Sequence, residues 1–316
     1  MLGVGLGIIG NEFVQLRRYR ASGKRISQLG GRLVFFTKTG KEPRGPWWCP
    51  VVMSGMYAER QVVWFTSGRN AGLRNEDLGV FNELPRLDTV EIVAAGISDE
   101  GLAHLEKLTR LRRLVLQDTQ VTSKGLHRLK SLPLQQLVMG GEATSSDILD
   151  CLGSLKSLKK LALYDAPVTD GSLKNLKHVP ELEHLYLEKC QITEEGFREV
   201  AHLKKLKIIE LLDLNVGDAG IEQLAKLSSL REVDLEKLPI TDQGLRALAQ
   251  LPHLRRLHVT HAATTVDGFH AFEQSGSLRS LMIGPGITPD HIKALRAIMP
   301  ACKVSDSMGT IRFHGP

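Results

Sequence analysis

Two histidines three positions apart, His258 and His261, are the residues of this chain that come closest to the spacing of a metal-ligand pair. His258 lies within an apolar-polar alternation that predicts a strand, whereas His261 follows in the expected turn. Their imidazoles should therefore point in different directions, which favours two unrelated histidines over a metal site. The sequence also contains no nucleophile elbow, phosphate-binding loop or H-E-x-x-H motif. We accordingly predict no metal, no cofactor and no enzymatic activity.

Carboxylates that could serve as catalytic acids recur along the chain. Each of them stands where a short helix is expected to begin, and a carboxylate at that place stabilises the positive end of the helix dipole. We interpret them as helix-start residues. They are Asp99, Asp170, Asp218, Asp242 and Asp267.

The cysteines are too scattered for a disulfide framework or a zinc pattern. Reduced thiols in a reducing compartment fit this distribution best. The four residues are Cys49, Cys151, Cys190 and Cys302.

The elements that position these side chains are indicated by a glycine, followed by an apolar residue, that recurs every 24 residues. Between Gly125 and Gly196 the interval is 71 residues, which is close to three such steps. A fixed period of this length predicts a stack of repeated structural units. The recurring glycines are Gly101, Gly125, Gly196, Gly220, Gly244 and Gly268.

The spacing of apolar residues changes within each repeat. Leu114 and Leu116 are two apart, which is the period of a strand, and Leu126 and Leu129 are three apart, as on one face of a helix. Thr122 precedes the second segment, where its side-chain oxygen suits a helix N-cap. Each repeat is therefore predicted to be a short strand, a turn and a short helix, and stacking of the repeats buries the leucines.

The pattern L-x-x-L-x-L followed by I-T-D-x-G-L, clearest at residues 227–245, resembles the leucine-rich repeat family. Its second half is similar to the cysteine-containing, ribonuclease-inhibitor-like branch, which often has cysteine at the turn position of Cys190. The resemblance covers about residues 84–304. It implies an α/β leucine-rich-repeat solenoid of about nine repeats, curved, with parallel strands on the concave face and helices on the convex face. Other copies depart from the branch at the turn position, with Thr119, Ala166, Leu214 and Leu238.

Composition separates the N-terminal part from the repeat array. Nine basic and two acidic residues between positions 11 and 45 give a charge of +7, so the remainder of a chain with total charge +6 sums to −1. The array itself therefore gives no support for nucleic-acid binding. We predict four segments: an apolar segment at 1–10, a basic cap and loop at 11–61, the solenoid at 62–304 and a tail at 305–316.

Residues 1–10 are apolar but too few to span a bilayer, which needs about 20 residues. The basic stretch that follows is typical of the cytoplasmic flank of a membrane helix. This order resembles bacterial leucine-rich-repeat proteins with one N-terminal membrane helix, which implies a cytoplasmic array tethered to the inner face of the cytoplasmic membrane. The alternative, an unstructured start to a soluble cytoplasmic protein, stays open.

Strand residues that point away from the leucine core line the predicted concave face. Two tyrosines lie there beside five carboxylates on three neighbouring strands, which are about 4.8 Å apart in a sheet. Because these carboxylates repel one another, the face favours a partner with basic and apolar side chains. The predicted contact residues are Tyr164, His184, Tyr186, Glu188, Glu210, Glu232, Asp234, Glu236, Arg256 and His258.

The sequence thus predicts a non-catalytic scaffold or adaptor that binds a protein partner on its concave face. Two alternatives remain: a substrate-recognition subunit of a ubiquitin-ligase-type complex, and a purely structural repeat protein. Residues 11–60 are short and rich in glycine and proline, which disfavours the helical F-box-like segment that the first alternative requires.

Overall fold

The computed structural model describes residues 21–36, 60–65, 73–93, 96–284 and 288–306, with the backbone alone for residues 32–36 and 60–65. The chain divides into two compact units, Met1–Leu137 and Val138–Pro316, and each is described by itself.

The first unit begins with a helical segment at residues 21–28 that ends at Gly30, where φ is 75°. Glycine suits this positive φ because it has no side chain to clash with the backbone. Strands β1 and β2 then pair antiparallel, whereas β2, β3 and β4 pair in parallel. The strands are β1 (Gly31–Phe36), β2 (Arg60–Phe65), β3 (Thr89–Val93) and β4 (Arg113–Gln117); the helical turns are 3-10 helices at Asn75–Glu83 and Gly101–Leu105, and α1 (Ser123–His127).

In the second unit the described strands β6 to β12 pair in parallel, each with the next along the chain. Strand β5 (Gln136–Gly140) crosses the border between the units. The strands of the second unit are β6 (Lys160–Tyr164), β7 (His184–Glu188), β8 (Ile208–Leu212), β9 (Glu232–Glu236), β10 (Arg256–Thr260), β11 (Ser280–Ile283) and β12 (Lys303–Asp306). The helices are α2 (Asp170–Leu173), α3 (Glu194–Val200), α4 (Asp218–Leu224), α5 (Asp242–Leu248), α6 (Val266–Phe269) and α7 (Pro289–Ile298), with 3-10 helices at Ile148–Ser154, Lys174–His178 and His270–Phe272.

The core of each unit lies between its strands and its helices. In β7, for example, Leu185 and Leu187 are fully buried, and so are Phe197 of α3, Ile221 of α4 and Leu245 of α5. The apolar alternation therefore forms strands and the following apolar pair forms the buried face of a helix, as predicted. Both units have the α/β leucine-rich-repeat fold, which confirms the predicted fold class.

The residue that follows each of the strands β4 to β10 adopts a left-handed backbone conformation. At Lys237, for example, φ is 53°, and its N–H donates to the carbonyl of Thr260 at 3.0 Å. The turn thus continues the hydrogen bonding of the sheet by one residue past β9. Only glycine takes this conformation without steric cost, yet most copies have another residue there. The positions are Asp118, Asp165, Lys189, Asp213, Lys237 and His261, together with Gly141.

Three of the recurring aspartates are the first residue of a helix, and four of the five connect neighbouring repeats. Asp170 is the first residue of α2, and its carboxylate accepts from the backbone N–H of Thr193 at 2.8 Å and from the Thr193 hydroxyl at 2.7 Å. Thr193 is in turn the N-cap of α3, where its hydroxyl accepts from Glu195 N. One carboxylate therefore fixes the start of the helix in the next repeat. The same arrangement occurs for Asp99 with Thr122, Asp218 with Thr241 and Asp242 with Thr265.

Both predicted boundaries of the solenoid fall within a strand of the structure. Strand β2 crosses the predicted boundary between residues 61 and 62, and β12 continues to Asp306, past the predicted end at residue 304. Helix α7 precedes β12, and its Arg296 donates to the carbonyl of Val304 at 2.9 and 2.8 Å. The final strand is therefore held by a side chain from the preceding helix.

In the parts of the chain that the structure describes, no helix is long and apolar enough to cross a membrane. The apolar segment at residues 1–10 lies outside the described residues, as do Cys49 and most of the predicted cap. Membrane attachment through that segment stays a prediction.

Candidate interaction surface

The first, third and fifth residues of the strands form the face of the sheet that is turned away from the leucine core. We call this surface the open face. Its parallel register places Glu210, Asp234, His258 and Met282 side by side on strands β8 to β11. The first strand positions form a second line, Ile208, Glu232, Arg256 and Ser280.

A shallow depression lies on the open face across strands β8 to β11. It brings together five of the predicted contact residues: Glu210, Glu232, Asp234, Arg256 and His258. Sequence reasoning left out three further lining residues, Ile208, Ser280 and Met282, although the same alternation places them on this face.

The most buried pair of an acidic and a basic side chain beside the depression is formed by His184 and Glu210. His184 Nε2 and Glu210 Oε1 are 2.6 Å apart, and the two side chains are only 9% and 6% exposed. This corrects the expectation that the carboxylates form a row in need of a cation from outside, because the protein itself supplies one partner. Glu210 is a buried, paired group rather than an accessible contact.

Two more carboxylates of the row are also paired within the sheet. His258 Nδ1 lies 2.8 Å from Asp234 Oδ1, with 13% and 14% of the side chains exposed, and the Arg256 guanidinium contacts Glu232. Each of these pairs joins two adjacent strands in register. The open face at β8 to β10 therefore carries pairs of acidic and basic side chains instead of carboxylates alone.

The two tyrosines are buried, contrary to the exposure expected at these strand positions. Tyr164 and Tyr186 are 8% and 5% exposed. The Tyr186 hydroxyl donates to Glu188, and a Cβ at Gly140 would lie 2.6 Å from Tyr164 Cδ2, so the ring covers the glycine backbone. The two tyrosines lie on the open face next to the depression, and because they are buried they offer a partner little surface.

The side chains that remain accessible lie at the rim. Arg256 is exposed at the strand start, and Glu236 is half-buried at the strand end between Leu212 and Thr260 in register. Lys160, at the start of β6, is also exposed. A partner on the open face would therefore meet an apolar and polar floor with charged groups around it.

The described residues provide no metal site, since no group of three His, Cys, Asp or Glu side chains among them could hold an ion. His258 is half-buried on β10, whereas His261 is exposed in the turn with φ of 52°. The described cysteines are free and buried, and burial raises the pKa of Cys151 to about 12 and that of Cys190 to about 11. A thiol with so high a pKa is a poor nucleophile at neutral pH.

No family model matches the sequence, and no curated protein matches it either. Among solved structures, the chain is similar to an internalin C2 from Listeria monocytogenes, with 24% identity over 67% of this chain and 84% of that chain and a TM-score of 0.49. It is also similar to an internalin, inlF, from the same organism, with 18% identity over 74% of this chain and 72% of that chain and a TM-score of 0.46.

Proposed function

We propose that this protein is a non-catalytic interaction scaffold that binds a protein partner on the open face of strands β8 to β11. The observation that carries the proposal is the depression, in which apolar and charged side chains from four successive strands meet. Depressions of this kind combine an apolar floor for anchoring side chains with a polar rim that sets orientation.

The expected partner presents basic and apolar side chains. Glu232, Asp234 and Glu236 all project from β9, and Ile208 and Met282 supply apolar surface on either side. Because Glu232 and Asp234 already have basic neighbours, Arg256 and His258, a partner's basic group would exchange with an internal pair or add to it. Such an exchange would contribute more to the orientation and selectivity of partner binding than to its affinity.

Position-specific cross-linking tests where the partner sits. A photo-reactive amino acid is placed at Glu236 on the open face or at Glu222 on the exposed side of α4, in the cells that produce the protein. We expect a discrete cross-linked protein from position 236 and none from 222. The same product from both positions, or from 222 alone, would place the contact elsewhere.

The affinity of the purified partner is then compared for two charge-reversal variants of equal net charge. One carries Glu236→Lys at the rim of the open face, and its control carries Glu222→Lys on the exposed side of α4. The rim variant should weaken binding about fivefold or more, since a contact worth about 1 kcal/mol is replaced by repulsion of the partner's basic group. Equal affinity of both variants and the parent protein would refute the proposal.

A further inference from the structure

A row of cations, separate from the open face, stands immediately before four successive strands of the second unit. Its members are spaced by 24 residues, and the backbone N–H of each donates to the carbonyl of the one before it. These bonds measure 2.8, 2.7 and 2.8 Å for Arg231, Arg255 and Arg279, respectively. The cation row consists of Lys207, Arg231, Arg255 and Arg279.

Little inside the protein neutralises this row. Lys207 Nζ donates to Glu183 at 2.5 Å, and Arg279 donates to the backbone carbonyls of Gly276 and Leu278. Within the described residues, no carboxylate forms an ion pair with Arg231, Arg255 or Arg279. These three arginines are exposed, and adjacent strands place them about 4.8 Å apart.

The fold itself does not require these cations. A basic residue is favourable in the last turn of a helix, where it offsets the helix dipole, and that effect falls off within one turn. Arg231 comes seven residues after the end of α4 at Leu224, and Arg255 comes seven residues after the end of α5 at Leu248. Like charges at this spacing repel one another, so the row is better explained by an anionic partner.

Other charges on the same side of the unit strengthen the positive potential. The loops that lead from helices into strands also carry Lys156, Lys159, Lys204, Lys205 and Lys226. The acidic residues of those loops and of the adjacent strand starts are fewer: Glu181, Glu183, Glu232 and Glu273. Glu181 and Glu183 are each bound to a lysine, and Glu232 is bound to Arg256.

We propose that the cation row binds an acidic helix of a protein partner, one that carries a carboxylate on every turn of one face. The pitch of an α-helix is about 5.4 Å, so its successive turns match rungs about 4.8 Å apart to within about 2 Å over four rungs. Long arginine and lysine side chains span that difference. Bidentate contacts between guanidinium and carboxylate would add geometric selectivity.

Single-stranded nucleic acid fits the row less well. Its binding uses exposed aromatic rings on which bases stack. In the described part of the second unit the tyrosines and phenylalanines are buried, including Tyr186, Phe197, Phe269 and Phe272.

Fluorescence anisotropy with a designed probe tests this proposal on the full chain. The probe is a labelled alanine-rich helix of about 20 residues with glutamate at every turn of one face, and its control has the same composition with the glutamates spread around the helix. The striped peptide should bind at least tenfold more tightly than the spread one at low salt, and binding should weaken as salt screens the charges. Equal binding of both peptides would overturn the proposal.

Two charge-reversal variants locate the site. The row variant carries Arg231→Glu, Arg255→Glu and Arg279→Glu, and its control carries Arg198→Glu, Lys237→Glu and Arg246→Glu at exposed positions off the row. Both retain the basic residues 11–45, so their contribution to binding is the same, and circular dichroism and thermal melts establish that each is folded. We expect the row variant to lose tenfold or more in affinity for the striped peptide and the control to lose less than threefold.

Three further outcomes would refute the proposal. The first is an equal loss of affinity in both variants, which would mean that only total charge matters. The second is tighter binding of a labelled oligo(dT) than of the striped peptide, lost in the row variant, which would assign the row to nucleic acid. The third is row-dependent binding to vesicles of phosphatidylcholine and phosphatidylserine without binding of the peptide, which would assign it to a lipid surface.

Discussion

The carboxylate of Asp218 holds Thr241 of the next repeat with two hydrogen bonds. Oδ1 accepts from the backbone N–H of Thr241 at 2.8 Å, and Oδ2 accepts from its hydroxyl at 2.6 Å. Oδ1 also accepts from the backbone N–H of Gly244 at 3.0 Å. Because Thr241 is the N-cap of α5, this aspartate fixes where the next helix starts and how the two repeats stack.

Replacement of Asp218 by alanine should destabilise the protein by about 1–3 kcal/mol, because three donors of the next repeat lose a charged acceptor. Urea denaturation measures the effect as a lower midpoint. Asp267 is the matched control, since it also lies in the first turn of a helix but has no such bond among the described residues. Asp267→Ala should change stability by about 0.5 kcal/mol or less. Equal destabilisation by both substitutions would mean that the helix dipole, and not the bonds between repeats, accounts for the aspartates.

The recurring glycine at position 244 is explained by the same carboxylate. A Cβ at Gly244 would lie 2.6 Å from Asp218 Oδ1, which is too close for any real contact. Gly244→Ala should therefore cost about 1–3 kcal/mol, whereas Gly276→Ala, with nothing within 4 Å of its Cβ, should be nearly neutral.

A double-mutant cycle tests whether this glycine and the aspartate act together. In Asp218→Ala with Gly244→Ala, the obstruction and the bonds disappear at once, so the combined loss should be smaller than the sum of the single losses by about 0.5–3 kcal/mol. Strict additivity in urea denaturation would show that the glycine is needed for a reason unrelated to the carboxylate.

The strand positions could be predicted from the sequence because their signal is local. The alternation around Leu114 and Leu116 specifies a strand in any parallel stack, and β4 lies there. The role of Asp218 could not be predicted in the same way, since its acceptors and donors are 23 residues apart and belong to different repeats. Only a three-dimensional stack brings them together.

The same limit applies to the open face. Alternation correctly predicts that His184, Glu210 and Tyr186 lie on that face. It does not predict how deeply these side chains are buried. Three of the five carboxylates, Glu210, Glu232 and Asp234, have partners on neighbouring strands, which the pattern within a single strand does not reveal. His184 pairs with Glu210 across a separation of 26 residues, which is one repeat plus a diagonal step.

The His184–Glu210 pair makes Glu210 a structural residue. Glu210→Lys would bury a lysine against the His184 imidazole without a carboxylate to neutralise it, and it should destabilise the protein by about 3 kcal/mol or more. Glu210→Gln keeps an acceptor for His184 and should cost clearly less. Glu236→Lys, half-buried at the rim, is the control and should stay within about 0.5 kcal/mol in thermal melts. A stable Glu210→Lys variant would contradict this assignment.

The left-handed turn positions predict a substitution that does not harm the protein. Lys237 has φ of 53°, a conformation that costs a residue with a side chain about 1–2 kcal/mol. Lys237→Gly removes that cost but loses about 0.5–1 kcal/mol in backbone entropy on folding, so the net change should lie between zero and about 1.5 kcal/mol of stabilisation. Arg246→Gly, in the interior of α5, should instead lose about 1 kcal/mol. Similar losses for both glycines in urea denaturation would show that the turn conformation carries no cost.

The buried thiols should be protected from alkylation for as long as neighbouring repeats stay packed against each other. Burial raises the pKa of Cys151 to about 12 and that of Cys190 to about 11, so at pH 8 only about one thiol in a thousand or fewer is ionised. Iodoacetamide reacts with the thiolate, and both side chains are also covered. Alkylation, followed by mass spectrometry, should therefore be at least about 100-fold slower in the native protein than in urea.

Alkylation of a buried thiol requires local opening of the repeats. If the bonds between repeats hold the stack closed, Asp218→Ala should therefore accelerate labelling of Cys190 more than Asp267→Ala does. Native Cys190 that reacts as fast as a free peptide thiol would contradict the buried turn that the structure shows.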